Sequence, residues 1–326
     1  MEKKDKMIQW GYFIGLLLVV FGHSHPLGAT YYPKYIHKII EFIYYFHMPL
    51  FFFISGYLSE KSKVTKNYSI ESKIWLKKKI SKLIYPYILL TILGIFPKIM
   101  LSNYTTDKLN MNFIAIIKII FVPRDSVWGH LWFIPTLLVI IIVGSYSDKI
   151  KIRKGIVIIL LILLNIFPIY TNWFAFKDIS INLIYFILGK YLYEFLNKEE
   201  NRKKIFSKKY IFLIVILVLI LLNFDLKILK LGIILSMIYI ILGISYILGK
   251  KIKILDIIDN NIFVLYLYGW PFQAVIEIVT NKILHWKWFL IFPSMFLIGL
   301  LGPLTLIKIH SIMHIKNERI NRILGF

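Results

Sequence analysis

Cysteine is absent from all 326 residues, so a thiol nucleophile, a disulfide, an iron–sulfur cluster and a Cys-ligated zinc site are excluded together. Negative charge is scarce: 17 Asp and Glu face 40 Lys and Arg, a formal net charge of +23. So large an excess invites a nucleic-acid reading. The placement of the charges removes it, because the basic residues gather between long apolar runs, where they serve orientation and contact with anionic lipid. The lysine-rich start lacks a small-residue cleavage site after its apolar run, so it reads as a retained first helix and not a removed leader. Room for a soluble domain is lacking as well. The longest stretches between apolar runs are 59–82 and 103–130. The second contains Met111 to Val122, too short to span a bilayer and expected to be interfacial or re-entrant. No internal repeat stands out.

What is abundant is apolar surface. Hydrophobic residues make up 58% of the chain and the mean hydropathy is +0.71, against an apolar share of about 45–50% in soluble domains. Ten apolar runs occupy approximately 7–24, 36–58, 83–102, 131–147, 154–171, 179–196, 209–224, 229–249, 260–281 and 287–309. At 1.5 Å rise per residue, runs of about 20 residues match a hydrocarbon core about 30 Å thick. Ile156 to Phe167 and Ile211 to Leu222 are continuous and do not alternate as barrel strands would. With the N-terminus inside, inner segments carry 28 basic residues and outer segments 11, which obeys the positive-inside rule. The expectation is an all-α polytopic membrane protein of about ten transmembrane helices, N-in and C-in, forming one domain with its core over 7–309. The Ile- and Lys-rich composition suggests an AT-rich bacterial genome, and the expected location is the bacterial cytoplasmic membrane.

Ionisable groups inside such runs are costly and mark functional candidates. The first run ends Val19-Val20-Phe21-Gly22-His23-Ser24-His25-Pro26. The second holds Glu41 and then Tyr44-Tyr45-Phe46-His47-Met48-Pro49-Leu50-Phe51-Phe52-Phe53-Ile54-Ser55-Gly56-Tyr57. His23 falls near the outer end of its helix and His47 near mid-membrane. Pro49 has no N–H and clashes with the carbonyl of Tyr45, which predicts a kink beside His47. Gly11 and Gly15 form a Gly-x-x-x-Gly pair suited to close helix packing. His25 and His37 fall in the outer loop, where a solvated role is expected. A third constellation runs from Arg124 through Trp128, His130 and Trp132 to Pro135. Trp128 and Trp132, four apart as on one helical face, are either interfacial belt anchors or a sugar-stacking platform. A fourth, Leu265-Tyr266-Leu267-Tyr268-Gly269-Trp270-Pro271-Phe272-Gln273, reads as a Pro-broken helix, with Glu277 beyond it at the interface.

At these residues the sequence resembles the acyltransferase 3 family, and within it the fucose 4-O-acetylase-like branch. Val19 to Ser24 is similar to that family's first-helix histidine motif. Phe46 to Tyr57 resembles its second-helix signature almost residue for residue. His130-Leu131-Trp132-Phe133-Ile134-Pro135 and Tyr266-Leu267-Tyr268-Gly269-Trp270-Pro271 resemble two further segments in the expected order. The resemblance implies a ten-helix membrane acyltransferase that moves an acetyl group from cytoplasmic acetyl-CoA to a hydroxyl of an envelope glycan or lipid-linked sugar. One departure stands out. The family commonly has Arg or Lys eleven residues before the first-helix histidine, on the same face; here that position is Tyr12, and the acidic residue often found three positions earlier is Gln9. Another group, such as a lysine of 59–82, then has to meet the donor's phosphates.

The expected chemistry is acyl transfer with His23 as general base on a sugar hydroxyl. His47 or Tyr44 would supply oxyanion donors, and a transient acyl-histidine is the alternative to direct transfer. Candidates for substrate or donor binding are Tyr12, Tyr44, Ser55, Arg124, Trp128, His130, Trp132 and Trp270. No metal and no bound cofactor are expected; acyl-CoA enters as donor substrate, with membrane lipid and a carbohydrate or lipid-linked glycan as partners. Two rivals stay open: a glycan transporter or flippase with gating helices, and an inactive relative that senses acyl-CoA.

Overall fold

The computed structural model describes residues 5–26, 33–66, 73–100, 118, 121–125, 127–147, 152–222, 227–249, 253–315 and 317–326. Among them the α-helices are α1 (Lys6–Gly22), α2 (Lys34–Lys66), α3 (Lys73–Met100), α4 (Phe133–Tyr146), α5 (Lys154–Ile166), α6 (Phe176–Leu196), α7 (Glu199–Ile205), α8 (Lys208–Leu221), α9 (Lys227–Leu248), α10 (Lys253–Glu277), α11 (Trp288–Ile312) and α12 (Glu318–Leu324). Every expected span overlaps one of them. Among the described residues, seven helical segments are long and apolar enough to cross a membrane, which fits a multi-pass membrane protein. The runs at 7–24, 154–171 and 209–224 yield helices of 17, 13 and 14 residues, shorter than the about 20 residues a full crossing takes. Apart from residues 118, 121 and 122, the piece from Met111 to Val122 lies outside the described residues.

The bundle is organised around α2, which pairs most extensively with α6 and also touches α1, α4 and α9. The α2–α6 approach is set by two glycines. A methyl added at Gly56 would overlap the carbonyl oxygen of Phe186, and one at Gly189 would overlap that of Phe53; only bare backbones fit this closely. Gly11 and Gly15 of α1 face Ile54, Phe51 and Leu50 of α2, so the Gly-x-x-x-Gly pair is a packing face. A second pairing joins α10 to α11, where Gly299 and Gly302 receive Gln273 and Phe272.

Polar ties hold the ends. Asp5 caps α1 by accepting from the Met7 N–H at 3.1 Å, as N-cap carboxylates do. It also accepts from the Tyr57 hydroxyl at 2.9 Å and from both terminal nitrogens of Arg202 on α7. Lys190, buried on α6, donates to the Gly144 carbonyl at 2.8 Å and to the Ser147 hydroxyl at 3.2 Å, with Glu60 at 4.0 Å. Pro271 does not break its helix. α10 stays helical through it, and the irregularity comes later, as a π-helical turn over Ile278–Ile283. α2 likewise carries Pro49 inside 33 helical residues. His37 belongs to α2 and not to a loop, with Glu41 one turn on at 3.3 Å and both side chains exposed.

Candidate functional site

The end of α1 is fixed by its neighbours. A helix leaves its last carbonyls without intrahelical partners, and here side chains take them. The Tyr44 hydroxyl donates to the Gly22 carbonyl at 2.7 Å, and Nδ1 of His25 meets the same oxygen at 2.8 Å. The Val20 carbonyl accepts from the Ser24 hydroxyl at 2.6 Å and from the Gln273 amide at 2.8 Å. His23, the residue after Gly22, is thereby held by α1, α2 and α10 at once. Burial keeps His25 below the ordinary imidazole pKa.

Two cavities meet inside the bundle. One, of about 480 Å³, is lined by His23, His47, His130, Tyr44, Arg124 and Trp132, together with Asp178, Asn182 and Tyr185 of α6. The other, of about 340 Å³, is lined by Tyr12, Ser55, Ser59, Ser62, Lys79 and Lys82. Met48 and Tyr266 belong to both walls. Residues 48, 51, 55, 59 and 62 recur every three or four positions, so one face of α2 lines the second cavity along its length.

Each imidazole has its own setting. Nδ1 of His47 meets the Ile43 carbonyl at 2.8 Å; donating there leaves Nε2 as the acceptor. His130 is buried, its ring stacked on Trp270 at 5.5 Å. Its Nε2 meets the Leu267 carbonyl at 3.3 Å. That carbonyl is four residues before Pro271, which lacks the N–H that would otherwise close the helical bond, so His130 serves an acceptor that proline leaves open. Nδ1 of His130 is buried without a hydrogen-bond partner among the described residues.

The structure therefore divides the sequence candidates. His23, His47, Tyr44, Arg124, His130 and Trp132 share one cavity; Tyr12 and Ser55 share the other. Trp128 and Trp270 line neither, and pack edge to face at 5.3 Å. Trp128 donates to the Leu90 carbonyl at 2.9 Å, its indole filling the space beside Gly94. The expectation that Trp128 and Trp132 share a helical face is corrected: Trp128 is extended, and Gly129–Trp132 is a 3-10 turn leading into α4. Tyr12 packs on Phe51 at 5.8 Å. Sequence reasoning missed Asp178, a buried carboxylate just outside a predicted span, whose rarity in so basic a chain was the available signal. It also placed Lys79 and Lys82 only within a general lysine-rich loop, though their three-residue spacing puts both on one face of α3.

No curated protein and no solved structure matches the chain significantly. The family model of the acyltransferase domain, by contrast, matches residues 8–308, from the first turns of α1 into the last turns of α11, and so takes in every residue that lines the two cavities. The chain therefore belongs to the acyltransferase 3 family.

Proposed function

We propose that this acyltransferase moves an acetyl or longer acyl group from acyl-CoA to a hydroxyl of a cell-envelope sugar or lipid-linked glycan, with His23 as general base. The observation that carries the reading is the juxtaposition of a histidine-lined cavity and a lysine- and serine-lined cavity that share the Met48 and Tyr266 walls. Lys79 and Lys82 give the second cavity the positive charge a CoA phosphate requires, in place of the basic residue that Tyr12 replaces. The aromatic wall of the first suits a sugar ring. The likeness of the second-helix motif to the fucose 4-O-acetylase-like branch favours a carbohydrate acceptor.

In this scheme His23 removes the proton of the acceptor hydroxyl, and the oxygen bonds to the thioester carbonyl carbon. The tetrahedral oxyanion collapses with cleavage of the C–S bond, and the imidazolium returns its proton to the departing CoA sulfur. In this reading the acceptor enters its cavity from the outer side and the donor from the cytoplasm, in keeping with the excess of basic residues in the expected inner segments. His47 lies close by as the second imidazole of the site.

The test is transfer from radiolabelled acetyl-CoA to envelope glycans in membranes bearing wild-type protein or His23→Ala. Label incorporated by wild type and lost by about 10²–10⁴-fold in the variant, at equal insertion, is the expected result for a general base. Full activity in the variant sinks the assignment. Stabilisation of the protein by acetyl-CoA without any labelled product would favour the inactive, sensing relative.

A further inference from the structure

The histidine cavity contains a charged pair that the transfer step does not use. Arg124 donates through Nε to both carboxylate oxygens of Asp178, at 2.9 and 3.1 Å, and through Nη2 to Oδ1 at 2.5 Å. The guanidinium lies 4.3 Å from the centroid of the Trp132 ring. The Asp178 side chain is 4% exposed and that of Arg124 46%. Asp178 sits in the first turn of α6, where the helix dipole favours an anion. One turn on, the Asn182 side chain donates to the Asp178 carbonyl at 2.8 Å and lines the same cavity.

A purely structural role accounts poorly for this pair. Burying a carboxylate against an arginine gives little net stability, because desolvation offsets the attraction, and apolar packing would close the wall equally well. What the pair does provide is a donor fork beside an acceptor carboxylate on an aromatic floor, with no net charge. That is the chemistry of adjacent hydroxyls: one donates to a carboxylate lone pair and its neighbour accepts from the guanidinium, which Trp132 holds in place by stacking. A sugar carboxylate or phosphate would be a second anion on a guanidinium that Asp178 already neutralises, leaving one charge uncompensated beside a buried carboxylate.

Resting on the acyl-transfer reading above, we propose that Arg124 and Asp178, seated on Trp132, read neighbouring hydroxyls of the acceptor and restrict it to an uncharged sugar unit. They are specificity residues, and His23 remains the base.

The test uses the full chain in lipid nanodiscs, with tryptophan fluorescence reporting sugar binding and thermal stabilisation by acetyl-CoA reporting the donor site. Probes are the methyl glycosides of glucose, galactose, fucose and N-acetylglucosamine, and the methyl glycosides of glucuronic and galacturonic acid. At least one neutral glycoside should bind wild type at least tenfold more tightly than any uronate. Asp178→Asn and Arg124→Gln should each weaken it by tenfold or more with the acetyl-CoA response intact. Arg124→Lys keeps the charge but loses the fork; a merely structural pair predicts wild-type sugar binding there, the proposal predicts weakening. Equal binding of neutral and acidic sugars, wild-type affinity in the Lys variant, or no sugar binding at all would overturn it. A wild-type protein that ignores acetyl-CoA would instead sink the acyl-transfer reading.

Discussion

His23 owes its fixed position to four side chains that take the last carbonyls of its helix, and two testable consequences follow at single residues. Tyr44 spends its proton on the Gly22 carbonyl, so it is a positioning group. Tyr44→Phe should reduce transfer by less than about tenfold, where removal of an oxyanion donor costs about 10²–10³ in kcat; a loss of the larger size would return Tyr44 to the oxyanion role. His130 answers an acceptor that Pro271 leaves open at Leu267. His130→Phe should keep the stacking on Trp270 and strand that buried carbonyl, a cost of about 1–3 kcal/mol. In a Pro271→Ala background the new alanine N–H closes the helical bond, so the same change should cost markedly less. Thermal unfolding of the four proteins forms the cycle that reads this coupling; equal costs in both backgrounds would break the link. His23 and His47 were legible in the sequence because a histidine in an apolar run is rare and both lie in recognisable motifs. Asp178 was not, because its meaning depends on Arg124, 54 residues away in sequence, and no local pattern records that pairing.

Between helices, the decisive contact is the reciprocal seating of Gly56 and Gly189. Alanine at either position puts a methyl into a facing carbonyl, and overpacking of this kind costs about 1–3 kcal/mol. Gly155, near the start of α5, has nothing within 4 Å of an added methyl, so Gly155→Ala should be neutral or stabilising by up to about 1 kcal/mol. Comparable melting temperatures for all three variants would show that α2 and α6 do not pack as described. The Asp5–Arg202 tie offers a second element-scale prediction. Both side chains are about nine-tenths buried, at 10% and 11% exposure, so Asp5→Asn leaves an arginine short of its counter-charge at a cost of about 3–5 kcal/mol. The expected readout is loss of folded protein in detergent, relieved in part by Arg202→Gln. Helix positions were readable from the sequence, since each apolar run overlaps a helix. Helix ends and partners were not. Pro49 and Pro271 are accommodated inside helices, the latter where a side chain from another segment completes the hydrogen bonding, and the α2–α6 contact joins residues more than a hundred positions apart.

At the scale of the whole chain, the orientation decides whether the chemistry makes sense. In the proposed reaction the lysine and serine cavity meets acyl-CoA from the cytoplasm, while an envelope acceptor arrives from the opposite side. The excess of basic residues in the proposed inner segments agrees with that arrangement and predicts a definite sidedness for each described end. Glu200 lies on α7, beside the Asp5–Arg202 tie at the end of α1 away from His23. Asn172 precedes α6 on the Asp178 side, and Lys287 precedes α11, whose Phe292 packs on Phe21 near His23. Because the chain has no cysteine, a single introduced thiol is labelled against an empty background. In intact cells a membrane-impermeant maleimide should label Asn172→Cys and Lys287→Cys and spare Glu200→Cys until the membrane is opened. The opposite pattern would turn His23 towards the cytoplasm and place Lys79 and Lys82 out of reach of a cytoplasmic donor, so transfer across the Met48 and Tyr266 walls in the proposed direction would be impossible.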